Sequence, residues 1–551
     1  MTTFTGSAAG YRDLITKLDQ HLTQTGHAWG LTFAGVGNGR MRGPGGTTGG
    51  YIGTATSVTE TITVTFTSAT AFNVSGSVSG SLGSGTVGAD FSSSRVAFRI
   101  VAGTTPFSAG DVFALNTGPA WTRQRLAGMG STGDGFTSTL SNPLNLVDGL
   151  ATGTSSSTTT FPATTTWVMD FDTAVRAIRI QNGSTAGQGP AAFSLDWSDD
   201  GSSWTTLQSW SGIGSWLANE ARTFAVTSPT AKRRWRVVVT AGQTATLNLW
   251  ELRLCGDAGG TYPLDDNTQG IQAAWLSPGV DGVTQAYHGL WTTTVSASDV
   301  WNLRLVGFRF WNDQATHPSL PNVANISTAK TLPVTKTTAI AYWLVVNGGR
   351  YILVCRVSGV YLAAYSGFIL PYEVPADYPW PMAVGAVYDI ATTRWDLSTE
   401  GGFRNFWDPG SSNTANNSVP CGLSVMQPNG VWREFGNRGN SSGSEGASIT
   451  HTSKLAGLTW PYAFQEGSGT QQVAVFRDCL DGSLPLLPVI LAVPVLPGFG
   501  GAVLGEFDGV YAMNGFGNTA EAITRDGAVD VMSVPNAFRT SRQHWAGIAL
   551  D

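Results

Sequence analysis

Phe193-Ser194-Leu195-Asp196-Trp197-Ser198-Asp199-Asp200-Gly201-Ser202-Ser203-Trp204 is the stretch that decides the fold. Phe193, Leu195 and Trp197 alternate with Ser194, Asp196 and Ser198, the two-residue period of a strand with one buried face. Asp200-Gly201 follows, and Asp-Gly is among the strongest short hairpin signals because glycine accepts a positive φ. A second strand is expected beyond it. Trp197 and Trp204 flank the turn and read as core positions of a β-sandwich, as does Trp235 further on.

Strand-like segments continue on both sides: Thr166-Trp167-Val168-Met169-Asp170-Phe171 and Val175-Arg176-Ala177-Ile178-Arg179-Ile180 before it, Arg234-Trp235-Arg236-Val237-Val238-Val239 and Leu249-Trp250-Glu251-Leu252-Arg253-Leu254-Cys255-Gly256 after it. With Asn145-Leu146-Val147-Asp148-Gly149 upstream, this order resembles the discoidin family, the coagulation-factor C-terminal type within the galactose-binding jelly-roll superfamily. The resemblance covers residues 139–256. It implies a β-sandwich that binds ligands, often glycans or lipid head groups, through loops at one end. The matching loops are Asn145 to Gly149, Ser155 to Thr165 and Ser209 to Trp216. Candidate ligand-binding residues are therefore Trp210, Trp216, Asn145 and Asp148. The two tryptophans either stack on sugar rings or are buried where their Gly/Ser loop packs. Asp148 is a conceivable calcium ligand, but calcium takes six to eight oxygens and one carboxylate is too few. No metal and no cofactor is expected.

Composition bounds the rest. The chain has 551 residues, 31 Lys+Arg, 37 Asp+Glu and a formal charge of −6, with 12% charged residues against roughly 25% in a typical soluble domain. Low charge with 20 tryptophans argues against disorder, and the lack of basic excess argues against nucleic-acid binding. A mainly β, multidomain chain is expected: an N-terminal helix, a central discoidin-like jelly roll and a β-rich C-terminal region. The expected boundaries are 1–128, 139–256 and 257–551, with a further split near 400 as an alternative.

Tyr11, Leu14, Ile15, Leu18 and Leu22 form the stripe of a short helix, with Arg12, Asp13, Lys17, Asp19 and Gln20 on its other face and Gly26 as C-cap. That stripe docks on its own domain or on a neighbouring subunit. Thr61–Thr67 and Val96–Val101 read as strands, and the Gly/Ser tract 75–88 as an exposed hairpin or flexible loop. Asn347-Gly348-Gly349 joins two apolar runs, 341–346 and 351–357, into a hairpin. Leu484 to Leu504 is apolar but holds four prolines, so it reads as buried strand and loop or as a subunit interface, not a membrane span. The start shows no basic region followed by an apolar stretch, so no signal peptide is expected. Cys255, Cys355, Cys421 and Cys479 form no C-x-x-C pair and read as scattered buried thiols, with two disulfides as the alternative.

Several segments resemble tailed-bacteriophage virion proteins: the helix followed by Thr25-Gly26-His27-Ala28-Trp29, the run Tyr361 to Phe368, Leu370-Pro371-Tyr372, Tyr378-Pro379, Phe406-Trp407-Asp408-Pro409-Gly410 and Gly505 to Tyr511. The resemblance implies a tail, baseplate or fibre component. Its partners would be other tail proteins and further copies of itself, a trimer first and a hexamer second, because a ring-forming part must close around the tail axis. It would sit in the virion tail after assembly in the host cytoplasm.

A catalytic search finds little. Six histidines are scattered without a metal-ligand pattern. Gly439-Asn440-Ser441-Ser442-Gly443 matches a nucleophile elbow but lies in a glycine-rich stretch without the strand and helix that such an elbow needs. Asp396, Glu400, Asp408, Glu434 and Glu445 read as turn or surface residues rather than a hydrolytic pair. In Lys232-Arg233-Arg234-Trp235-Arg236 the strand period puts Trp235 inside and the flanking arginines outside. The expected function is a structural tail component, not an enzyme, with host-glycan binding through the sandwich. The alternatives are a tail-associated polysaccharide hydrolase and a head fibre or decoration protein.

Overall fold

The structure, a computed structural model, describes residues 2–23, 27–34, 40–42, 53–54, 60–103, 105–118, 120–127, 136–147, 155–256, 258–260, 264, 272–279, 284–294, 300–310, 326–336, 338–357, 359–387, 405–408, 410–411, 422–435, 437–438, 455–462, 486–493, 502–513, 521–524, 530–537 and 544–550. The protein is mainly β with one helix among these residues, and its strands fall into several sheets.

The opening stretch folds as a hairpin. Strand Pro190–Ser198 pairs antiparallel with Thr205–Trp210, from Phe193 opposite Trp210 to Trp197 opposite Thr205. Gly201 takes φ +82° in the turn, where a side chain would be strained. Backbone N–H groups of Ser203 and Ser202 donate to Asp200 Oδ1, both at 2.8 Å, and hold that carboxyl well below the usual carboxylate range.

Around the hairpin stands a two-sheet sandwich, the expected discoidin-like jelly roll. One sheet runs Phe136–Ser138, Ala163–Ala174, Ala231–Gly242, Pro190–Ser198, Thr205–Trp210 in spatial order. The other runs Ser156–Thr158, Leu247–Cys255, Ala177–Asn182, Ala221–Ala225. Trp167, Trp235, Leu195, Val237, Ile178 and Leu252 fill the space between. Trp197 and Trp204 depart from the sequence reading: both are half-buried at the rim of the sandwich, beside the 199–204 turn. Lys232 Nζ lies 3.7 Å from the Trp197 ring centre, and the Arg236 guanidinium 4.4 Å from that of Trp204. At a sheet end the second layer no longer reaches, and long cationic stems cover the rings instead.

The sandwich is inserted into another sheet. Thr122–Ala127 pairs directly with Gln272–Ser277, although residues 136–256 lie between them in sequence. A second module is inserted in the same way. The backbone of Trp121 donates to the Leu22 carbonyl at 3.0 Å, so the chain leaves and rejoins at one place around residues 27–118. That module has its own phenylalanine-rich core of Phe66, Phe72, Phe91, Phe98, Phe107 and Phe113. Within it the Gly/Ser tract forms the hairpin Ala71–Gly76 and Gly80–Thr86, exposed along its second strand.

The remaining residues form a central body. Strands Ile340–Val346, Arg350–Val357 and Val360–Phe368 are consecutive in one long sheet. Tyr342, Leu344, Leu353, Cys355, Leu362 and Ala364 enter one core, while Val345, Ile352, Val354, Ala363 and Tyr365 enter another on the opposite face. Burial on both faces explains why these strands read as continuous apolar runs rather than as alternation.

Thr2–Ala8 is the edge strand beside Ile340–Val346, so the first residues of the chain lie with the central body rather than with the module that follows them. Helix Tyr11–Thr23 sets its apolar stripe into the first core, docking on its own chain. Asp19 departs from the expected polar face. It is 2% exposed, takes a hydrogen bond from Trp275 Nε1 at 2.9 Å and pairs with Arg123. A short helix is pinned this way because its packing partners come from both sides of the sandwich insertion. Gly26, the expected cap, lies outside the described residues. Cys255 and Cys355 are buried, and burial pushes the Cys355 thiol well above the usual thiol range. Cys421 and Cys479 lie outside the described residues. In the Leu484–Leu504 stretch, strand Leu487–Val493 is anchored by buried Val489 and Leu491. No helix among the described residues is long and apolar enough to cross a membrane.

Candidate functional site

Strand registers define the two ends of the sandwich. Cys255 leaves opposite Ala177, at the end that also carries residues 199–204 and 226–230. At the other end Ala163 faces Val239, Pro190 faces Gly242 and Phe193 faces Trp210. Connections 139–147, 159–162, 183–189, 211–220 and 243–246 therefore converge there. The described parts of the loops singled out from sequence share this end.

Side chains lock it. Gln243 Nε2 donates to the carbonyls of Ile213 (3.0 Å) and Gly214 (2.7 Å), and Gln243 Oε1 accepts from the Trp216 backbone at 3.0 Å. Arg222 donates to the Gly214 and Ser215 carbonyls at 2.7 and 2.6 Å and to Glu220, whose carboxyl it holds below the usual range. Asn182 Nδ2 donates to the Thr185 and Leu217 carbonyls at 2.9 and 2.8 Å. The 211–220 loop is thus fixed before any ligand arrives, which lowers the ordering cost of binding. Leu217 projects from it, 68% exposed.

The candidate residues divide. Trp216 is 1% exposed and donates Nε1–H to the Pro190 carbonyl at 2.9 Å, with the Arg222 guanidinium 4.4 Å from its ring centre. It is core, and of its two sequence readings burial is the one that holds. Its loop folds back across the sandwich, and Gly189 lets it do so: a Cβ there would stand 2.4 Å from the indole. Trp210 ends a strand rather than lying in a loop; it is half-buried, stacked on Phe193 at 4.8 Å. Asn145 is half-buried in the 3-10 turn Pro143–Leu146, at the loop end as expected. Asp148 lies outside the described residues. Sequence reasoning missed Gln243, Arg222 and Leu217. Only Leu217, an apolar residue in a polar loop, left a signal there.

The basic cluster is already paired. Lys232 meets Asp199 at 2.7 Å, Arg233 donates to the Met169 carbonyl at 3.0 Å, Arg234 to that of Asp199, and Arg236 meets Asp196 at 2.7 Å. Of the acidic candidates, Asp408 is buried against His544 Nδ1 at 2.8 Å and Glu434 meets Lys330 at 3.4 Å, so they serve separate contacts. Asp396, Glu400, Glu445 and residues 439–443 lie outside the described residues. No three His, Cys, Asp or Glu side chains among the described residues gather as a metal site.

No protein-family model and no curated protein matches the chain. Solved structures with some likeness include the family 32 carbohydrate-binding module of Clostridium perfringens NanJ in complex with galactose. It shows 15% identity, covers 23% of this chain and 97% of the module, and has a TM-score of 0.19. A Clostridium perfringens module, CpGH89CBM32-5, in complex with GalNAc-beta-1,3-galactose gives 16% identity, 21% and 91% coverage and a TM-score of 0.18. The Streptococcus pneumoniae EndoD family 32 module gives 14% identity, 25% and 95% coverage and a TM-score of 0.18.

Proposed function

We propose that the chain is a structural component of a bacteriophage tail, at the baseplate, tip or fibre, and that it holds a glycan of the host surface at the loop end of its sandwich. One observation carries the binding part: the connections 139–147, 159–162, 183–189, 211–220 and 243–246 meet at the end opposite the chain's exit, locked by Gln243 and Arg222. Such an end, already locked by its own side chains, needs no rearrangement to bind. The tail part is supported by the virion-like segments of the sequence. On this reading the chain works without a cofactor and without catalysis, in the virion, with other tail proteins and two further copies of itself, a hexamer being the second choice.

The test has two arms. Asn145→Ala combined with Leu217→Ser, both outside the core, should weaken binding to host-envelope glycans at least tenfold with an unchanged melting temperature. Unchanged binding would overturn the loop-end assignment. Immunogold labelling of virions should place the chain on the tail, and label confined to the head would make it a decoration protein.

A further inference from the structure

The central body carries a hollow, far in sequence from the sandwich. Its volume is about 140 Å³, and its walls are Arg309, Pro379, Trp380, Met426 and the turn Gln427-Pro428-Asn429-Gly430. Drug-sized pockets run to roughly 300–1,000 Å³, so this one takes a single small residue.

Its frame is rigid. Gly430 N–H donates to the Gln427 carbonyl at 2.8 Å, Gln427 N–H to that of Val431 at 3.0 Å, and Val431 N–H to Asn429 Oδ1 at 3.1 Å. Gly430 stands at φ +78°, and a Cβ there would lie 3.5 Å from Arg309 Nη1, so the turn is brought up against the guanidinium. The hydroxyl of Tyr378 donates to the Met426 carbonyl and ties the segment carrying Pro379 and Trp380 to the same strand.

Arg309 is the unexplained group. Its guanidinium carbon lies 3.5 Å from the Trp380 ring centre. Among the described residues its buried Nε meets no acceptor and no carboxylate pairs with it. What sets it apart is the missing carboxylate: Arg236 has Asp196 and Arg350 has Asp508, although one buried Nη of Arg350 likewise meets no acceptor among the described residues. A buried donor without an acceptor calls for an explanation. Stacking on an indole uses the faces of the guanidinium and leaves its in-plane N–H fork free, the geometry that takes a carboxylate at two points.

We propose that Arg309 and Trp380 form a binding site for a carboxylate-bearing sugar residue, such as a uronic acid of an acidic polysaccharide. The guanidinium takes the carboxylate. Pro379, Pro428 and Met426 give the apolar wall that a sugar ring's C–H face needs, and Gln427 and Asn429 line the same hollow as its polar side chains. A bare anion would use only the first of these.

Titration calorimetry on the full chain tests this with glucuronate and oligogalacturonate against galactose, acetate and inorganic phosphate. The uronates should bind, galactose should not, and Arg309→Gln should weaken the uronates at least tenfold. Asn429→Asp, an exposed turn substitution that keeps the Oδ1 acceptor, should do the same by charge repulsion and serves if Arg309→Gln does not fold. Uronates binding no better than galactose, or unaffected by these variants, would overturn the site. Equal binding of acetate or phosphate would reduce it to a general anion site and overturn the sugar assignment. The Asn145→Ala, Leu217→Ser variant should keep uronate binding, which separates this site from the sandwich end.

Discussion

The sandwich and the central body are both β-structures built around tryptophan and tyrosine, yet they place their charges differently. In the sandwich sheet that carries the hairpin the cations reach the rim: Arg236, which meets Asp196, keeps 27% of its side chain in solvent, and Lys232 keeps 23%, while the opposite sheet holds one buried pair, Arg253 with Glu251 at 3.7 Å. In the central body they are sunk into the core. Arg350 is fully buried against Asp508 Oδ2 at 3.0 Å, with Asn347 Nδ2 donating to the same oxygen at 2.6 Å. His288 is fully buried between Ser366 at 2.8 Å and Ser277 at 3.2 Å, beneath Trp121. A layer buried on one face can send its charges to water. A layer buried on both faces has to satisfy them internally. The same substitution should therefore cost more in the body than in the sandwich.

The largest expected effect is that of Asp508→Ala. It leaves a buried guanidinium without its carboxylate, which typically costs about 3–5 kcal/mol. Asp196→Ala in the sandwich should cost clearly less, because water reaches Arg236. Chemical unfolding of both variants, followed by near-ultraviolet circular dichroism, compares them. Equal losses would break the contrast.

The second effect is one of pH. Burial lowers the His288 pKa from 6.5 to about 3, so the folded state holds the imidazole neutral while the unfolded chain takes up a proton below pH 6.5. The His288 contribution is complete above that value and is lost as pH falls towards 3. Between pH 6 and pH 4 it should remove about 2–3 kcal/mol from the central body. The stability of His288→Gln should fall less steeply over that interval than that of the parent chain. Parallel profiles would show that the ring does not carry this dependence.

The sandwich was more legible than the body for the same reason. One-sided burial writes its answer as alternation, so the Asp200-Gly201 hairpin and the inward Trp235 follow from spacing alone. What spacing misses is where a layer ends. Trp197 obeys the period but reaches the rim, and Trp216 breaks the period yet is buried because its loop folds back over Gly189. In the body, Ala341–Val346 and Tyr351–Val357 announced strands, but a continuous apolar run does not say what lies on either face. Asp19 looked like a solvent-facing helix residue because its partners, Arg123 and Trp275, are brought to it only by folding around an inserted domain. The loop end of the sandwich was named from a family resemblance, whereas Arg309 and Trp380 left no signal, being 71 residues apart with their turn a further 47 on (380 − 309 and 427 − 380).

The smallest effect sharpens the contrast from the other side. Lys232 covers Trp197 at 3.7 Å and meets Asp199, whose side chain is 73% exposed. An ion pair open to water contributes little and is weakened by salt. A cation over an indole at an exposed site is worth about 0.5–1 kcal/mol and depends less on salt where the ring excludes water. Lys232→Ala should therefore destabilise the sandwich by under about 1 kcal/mol. Most of that loss should survive in 0.5 M salt (roughly a 4 Å screening length). A loss that vanishes in salt would assign the contact to Asp199 alone. A loss approaching that of Asp508→Ala would mean that the rim is as dry as the body's interior, and the difference in charge placement between the two regions would then carry no difference in energy.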